Sequence, residues 1–130
     1  MIDPERALAS WFLLISGIVF LVVYALPLLF VPLQWARVFR WELPEKTHLA
    51  IYLGRCLGGV ALAVVIFVFR AVPDPRSSRL LFELVSLMTG ILCLVHVWGA
   101  IRRIQPWTEH VEIILYATVA ALSAWIGAGL

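Results

Sequence analysis

Few ionisable or reactive side chains interrupt the apolar stretches of this chain, and those few recur at helical spacing. His48, Tyr52, Arg55, Gly59 and Ala63 step by three and four residues, which places them on one helical face. Ser86, Thr89, Cys93, His96, Ala100 and Arg103 make a second stripe, and Glu109, Glu112, Tyr116, Ala120, Ser123 and Gly127 a third. Arg55 lies seven residues after His48 and His96 five before Ile101, so they sit ~10 Å and ~8 Å from one membrane face at about 1.5 Å per residue. Glu109, His110 and Glu112 open the last apolar stretch at the same face. Three stripes turned inward would bring Arg55 near His96, Glu112, Tyr52 and Tyr116, with Cys93 on the His96 stripe.

Such a cluster would line a half-buried ligand pocket. Arg55 would supply a fixed positive charge for an anionic or carbonyl-bearing molecule: a quinone, a lipid headgroup or a small acid. Imidazole changes charge near physiological pH, so His96 could carry a proton. Glu112 would neutralise Arg55 when no ligand is present. The competing reading is an Arg55–Glu112 ion pair with His96 hydrogen-bonded to it, which sets helix register and does nothing more.

No metal site is expected. His48, His96, His110, Glu109 and Glu112 all lie toward one face, but no helix carries two ligands at the i, i+4 spacing of a His-Glu-x-x-His pair. His48 and His110 fall at helix starts, in the headgroups. A bis-histidine haem needs two facing histidines at depth, and only His96 qualifies. No cofactor is therefore expected. No nucleophile–base set, phosphate loop or paired carboxylates can be identified, so no catalytic residue is named.

The elements that must position these groups follow from composition. The chain has 130 residues, 63% of them hydrophobic and only 14% charged. The mean hydropathy is +1.00. Soluble domains carry about 25% charge, so this chain cannot coat a water-soluble globule. Disorder and a disulfide-stapled miniprotein are excluded too. A net charge of +2 with no basic run longer than two residues argues against nucleic acid. Cys56 and Cys93 sit in apolar stretches and read as small buried hydrophobes. The opening Met-Ile-Asp-Pro-Glu-Arg and the long apolar run after it do not look like a cleaved signal peptide.

A membrane helix needs about 20 apolar residues, and four such segments fit. The first runs from about Pro4, with Asp3 as N-cap, to Phe30, with Pro27 and Pro32 kinking or ending it. The second runs from about Glu45 to Arg70, the third from Pro75 to Ile101, and the fourth from Pro106 to Gly127. The membrane-crossing parts are expected at about 7–30, 48–70, 80–101 and 109–128, within one transmembrane domain covering 1–130. Residues 33–42 read as a short interfacial helix, with Trp35, Val38 and Phe39 on one face, or as an aromatic-rich loop. Trp11 and Trp125 mark one membrane surface, and Trp35, Trp41, Trp98 and Trp107 the other.

Asp-Pro precedes the first and third helices, and Pro-x-x-x-His opens the second and fourth. That pattern fits two tandem helical hairpins. Gly54-x-x-x-Gly58, with Gly59 and Ala61, forms a small-residue ridge, as do Ser86 with Gly90 and the run Ala120, Ala124, Ala128. Such ridges allow close helix approach within a bundle or between copies. Glu83 should pair with Arg79. Arginines and lysine divide almost evenly between the two faces, so the positive-inside rule sets no orientation. The termini are placed in the cytoplasm because no translocated N-terminal tail is evident.

The segment Tyr52-Leu-Gly-Arg55-Cys-Leu-Gly-Gly-Val-Ala, after a Pro-containing first helix and a polar link, resembles small bacterial four-helix membrane proteins of the DoxX-like kind. The resemblance covers the first two helices. It carries over Gly54, Arg55, Gly58 and Gly59 as motif positions. It implies a four-helix bundle in a bacterial cytoplasmic membrane, in a largely uncharacterised group with some members tied to quinone-linked oxidation.

The expected molecule is all-α: an integral membrane four-helix bundle, up-down-up-down with short loops. The expected function is non-catalytic. The protein would be an accessory or assembly subunit of a larger membrane complex, or a binder of a lipid- or quinone-like ligand. Membrane lipids, a second copy or a larger complex would be its partners. A small transporter or channel acting as an oligomer is the alternative.

Overall fold

The computed structural model describes residues 2–130. Among these residues the chain is all-α, with five helices and no strand. Four helical segments are long and apolar enough to cross a membrane: Ala7–Phe30, His48–Ala71, Arg76–Arg102 and Glu109–Ala128. This is a multi-pass integral membrane protein. We label the helices α1 (Ala7–Phe30), α2 (Pro32–Val38), α3 (His48–Ala71), α4 (Arg79–Arg102) and α5 (Glu109–Ala128). The chain forms two compact units, one reaching to Asp74 and the other Pro75–Leu130. The division falls at the second Asp-Pro.

In the first unit α1 and α3 form an antiparallel hairpin. The helix starts later than the Asp3 capping motif suggests. Asp3 instead uses Oδ1 to accept from its own downstream Glu5 amide at 2.9 Å, a local turn that competes with helix. Ser10, fully buried, ties three segments together. Its Oγ donates to the Val72 carbonyl at 2.7 Å and accepts from the Asp3 amide at 3.1 Å.

Pro27 does not end α1. The helix widens into a π turn over Leu21–Ala25 and then continues to Phe30. Proline has no N–H for the Val23 carbonyl four residues before it. The Trp35 indole supplies a donor there instead, with Nε1 2.7 Å from that oxygen. The chain then turns at Val31, and α2 folds back on α1. Trp35 stacks on Phe39 at 4.5 Å between ring centroids, and both lie 6.1–6.3 Å from Tyr24. Val38 does not share their face: it is 76% exposed. An i, i+4 pair, not the i+3 neighbour, packs against Tyr24.

Helix α3 packs through Gly54, Gly58, Val65 and Val68. A Cβ at Gly58 would meet the backbone of Leu28 and Leu29, and one at Gly54 would lie 2.6 Å from Pro32 Cβ. The small residues are thus spent on helix crossing inside the unit. Another stripe of α3, with His48, Tyr52, Arg55 and Ala63, is exposed on the first unit. Cys56 is exposed as well, not buried; Cys93 is half-buried, and both are free thiols.

In the second unit a single 3-10 turn, Arg76–Ser78, leads into α4, and the link from Arg103 to Thr108 returns the chain as α5. Phe82, fully buried, packs against Gly127, where a Cβ would lie 2.8 Å from its own.

Candidate functional site

The seam between α4 and α5 is a ladder of polar side chains reaching across to backbone carbonyls. Ser123 Oγ donates to the Phe82 carbonyl at 2.9 Å and Ser86 Oγ to the Ala120 carbonyl at 3.0 Å. Cys93 Sγ lies 3.6 Å from the Ile113 carbonyl. Thr89 turns back on its own helix, donating to the Val85 carbonyl at 2.7 Å. In an apolar medium each hydroxyl must find an acceptor, and a neighbouring helix carbonyl is the nearest one. This ladder sets an antiparallel register in which His96 lies level with the first turn of α5.

At that level the ladder becomes ionisable. His96 Nε2 lies 3.0 Å from Glu109 Oε2 and 3.3 Å from Glu112 Oε2. The glutamates are only 3% and 4% exposed, and the imidazole side chain 14%. Glu109 and Glu112 are three residues apart on one face of α5, and both occupy its first turn, where the helix dipole favours negative charge. Pro106 begins that turn by accepting from the Glu109 amide at 3.1 Å. The Tyr116 ring lies one turn deeper, 5.0 Å from the His96 ring.

The hydrogen on the imidazole can be assigned from its partners. Nδ1 is 2.7 Å from the Leu92 carbonyl oxygen, which only accepts, so Nδ1 carries a hydrogen. Nε2 therefore points at two carboxylates with either a second hydrogen or a lone pair. Ligating atoms of His96, Glu109 and Glu112 all lie within 4.8 Å of one another. The arrangement can hold a positive charge: an imidazolium proton or a cation.

The structure thus brings together His96, Glu112, Tyr116 and Cys93 on one seam and adds Glu109. Arg55 and Tyr52 belong to the first unit, where Arg55 is exposed and Tyr52 is 66% exposed on α3. Gly59 and Gly90 face open space, since a Cβ at either would meet nothing within 4 Å. Arg79 and Glu83 do pair, at 3.4 Å, on an exposed turn of α4. Glu109 and Glu112 are three residues apart, so the i, i+4 spacing of a metal-binding pair does not select them. Their shared stripe with Tyr116 was the available signal. No family model matches this chain, and neither a curated protein nor a solved structure matches it.

Proposed function

We propose that this chain is a non-catalytic membrane protein that works by binding, an accessory component that holds a lipid- or quinone-like ligand on the Arg55 face of α3. The observation that supports this reading is the exposure of Arg55 in a membrane-crossing helix, about 10 Å from its first residue at 1.5 Å per residue. A guanidinium within a span costs roughly 2.5–3.5 kcal/mol or more at the helix centre unless oxygen ligands meet it. An anionic headgroup or a ring carbonyl would meet it, and the guanidinium fork matches a phosphate or carboxylate. Tyr52, three residues earlier on the same face, offers an aromatic surface and a hydroxyl beside it. The resemblance of Gly54-Arg55 and its neighbours to DoxX-like proteins points the same way, since some of these are tied to quinone-linked oxidation.

Native mass spectrometry of protein extracted gently from its own membrane tests this. The wild type should carry a small bound mass, Arg55→Ala should lose it while keeping its thermal unfolding, and Arg55→Lys should retain part of it. A bare wild type, or an alanine variant that keeps the mass, would reduce Arg55 to a side chain reaching the headgroups along its own apolar stem.

A further inference from the structure

We propose that His96, Glu109 and Glu112 hold a divalent first-row transition-metal ion. The proposal uses different residues from the Arg55 reading and does not depend on it. Two antiparallel helices aim three ligating atoms at one point, all within 4.8 Å of one another. The position of the glutamates at a helix start explains two acids there. It does not explain why an imidazole nitrogen from the other helix faces both.

Donor and acceptor counting carries the case further. The Nδ1 hydrogen is engaged by the Leu92 carbonyl at 2.7 Å. A neutral imidazole has no other hydrogen, so Nε2 would present a lone pair to two carboxylate oxygens at 3.0 and 3.3 Å. Three acceptors converging in a buried seam need a hydrogen or a cation among them. One hydrogen on Nε2 can be collinear with only one of the two oxygens. A metal ion serves all three, and its two positive charges cancel those of two carboxylates, which lowers the cost of burying them.

The metric agrees. Nitrogen and oxygen ligands about 2.0–2.2 Å from a zinc-like ion, at angles of roughly 90–109°, lie about 2.9–3.5 Å from one another. The two separations from His96 Nε2, 3.0 and 3.3 Å, fall in that range, and all three ligating atoms lie within 4.8 Å of one another. Metal-bound imidazoles almost always donate their other N–H to a carbonyl or carboxylate, as His96 does to Leu92. One imidazole with two carboxylates suits zinc, manganese or ferrous iron; calcium and magnesium take oxygen alone, and cuprous copper wants sulfur. Three protein ligands leave at least one position for water or for an oxygen of an incoming molecule.

The test uses the full chain in detergent, stripped with a chelator and titrated with Zn2+ by calorimetry, with native mass spectrometry for stoichiometry. The wild type should bind one equivalent. Glu109→Gln and Glu112→Gln, which keep shape, should each weaken binding at least about tenfold, the lower end of what losing even an outer-shell partner costs. A His48→Ala/His110→Ala double variant should still bind one equivalent. Where a glutamine variant fails to fold, the wild type decides. With 15N-histidine, bound Mn2+ should show pulsed-EPR coupling to one imidazole nitrogen. Absence of saturable binding, binding that survives both glutamine substitutions, binding lost with His48 and His110, or coupling to no imidazole would each overturn the proposal. The seam would then be a hydrogen-bonded contact between two helices.

Discussion

Trp35 is an aromatic residue in a segment that reads as interfacial, yet its indole N–H reaches 2.7 Å into the first hairpin to the Val23 carbonyl. Trp35→Phe keeps the ring stack on Phe39 and removes only that donor. The substitution should cost about 1–3 kcal/mol, the range for stranding a buried polar group, measured by thermal or denaturant unfolding in detergent. Pro27→Ala restores an N–H four residues after Val23, so adding it should shrink the loss; equal losses in both backgrounds would show that the indole bond is incidental. At this scale the sequence was legible in residue type and not in partner. Pro27 announced a disturbed helix, but nothing in the chain said which donor would answer it. The meeting of His96 with Glu112 was legible from their two polar stripes, whereas the closer approach to Glu109 depends on the register of two helices, which local pattern does not contain.

The helices themselves are set by their neighbours as much as by their own composition. Gly54 and Gly58 were readable as a ridge, and the ridge is used where α3 meets the Leu28–Pro32 segment. A methyl group at Gly58 would meet backbone, which cannot swing aside as a side chain can. Gly58→Ala should therefore lower stability by about 1–3 kcal/mol, as overpacking does. Gly90→Ala, with nothing within 4 Å of the added carbon, should be neutral or slightly stabilising through helix propensity. Unfolding midpoints of the two variants, measured side by side, decide this: a Gly58→Ala protein as stable as the wild type would remove the crossing from the account. Helix ends show the same dependence. Arg40 and Arg103 take left-handed conformations, φ 62° and 55°. Each closes its helix in a Schellman pattern, Trp41 N to Ala36 O at 2.9 Å and Ile104 N to Gly99 O at 3.1 Å. Glycine usually occupies this position, so a search for glycine stops would pass over both ends. The choice of which α3 face packs within the first unit has a related reason. Spacing defines a face but not its direction, and the glycine face, able to approach closer, took the interior.

At the scale of the whole molecule, four long apolar helices leave no polar coat for water. The chain should stay with the membrane fraction through an alkaline carbonate wash and be released only by detergent; release by the wash would contradict the multi-pass reading. What the sequence by itself determined is the all-α class, the four membrane-crossing segments and the scarcity of buried charge. These follow from composition and 3.6-residue periodicity, which act along the chain and need no knowledge of neighbours. Only the tertiary structure decided that Gly54 and Gly58 face Pro32 and Leu29, that Trp35 answers Val23, and that His96 meets Glu109 as well as Glu112. Each of these is a meeting between segments far apart in sequence. The side chains chosen depend on how close two backbones come and in what register, quantities that hydropathy does not encode.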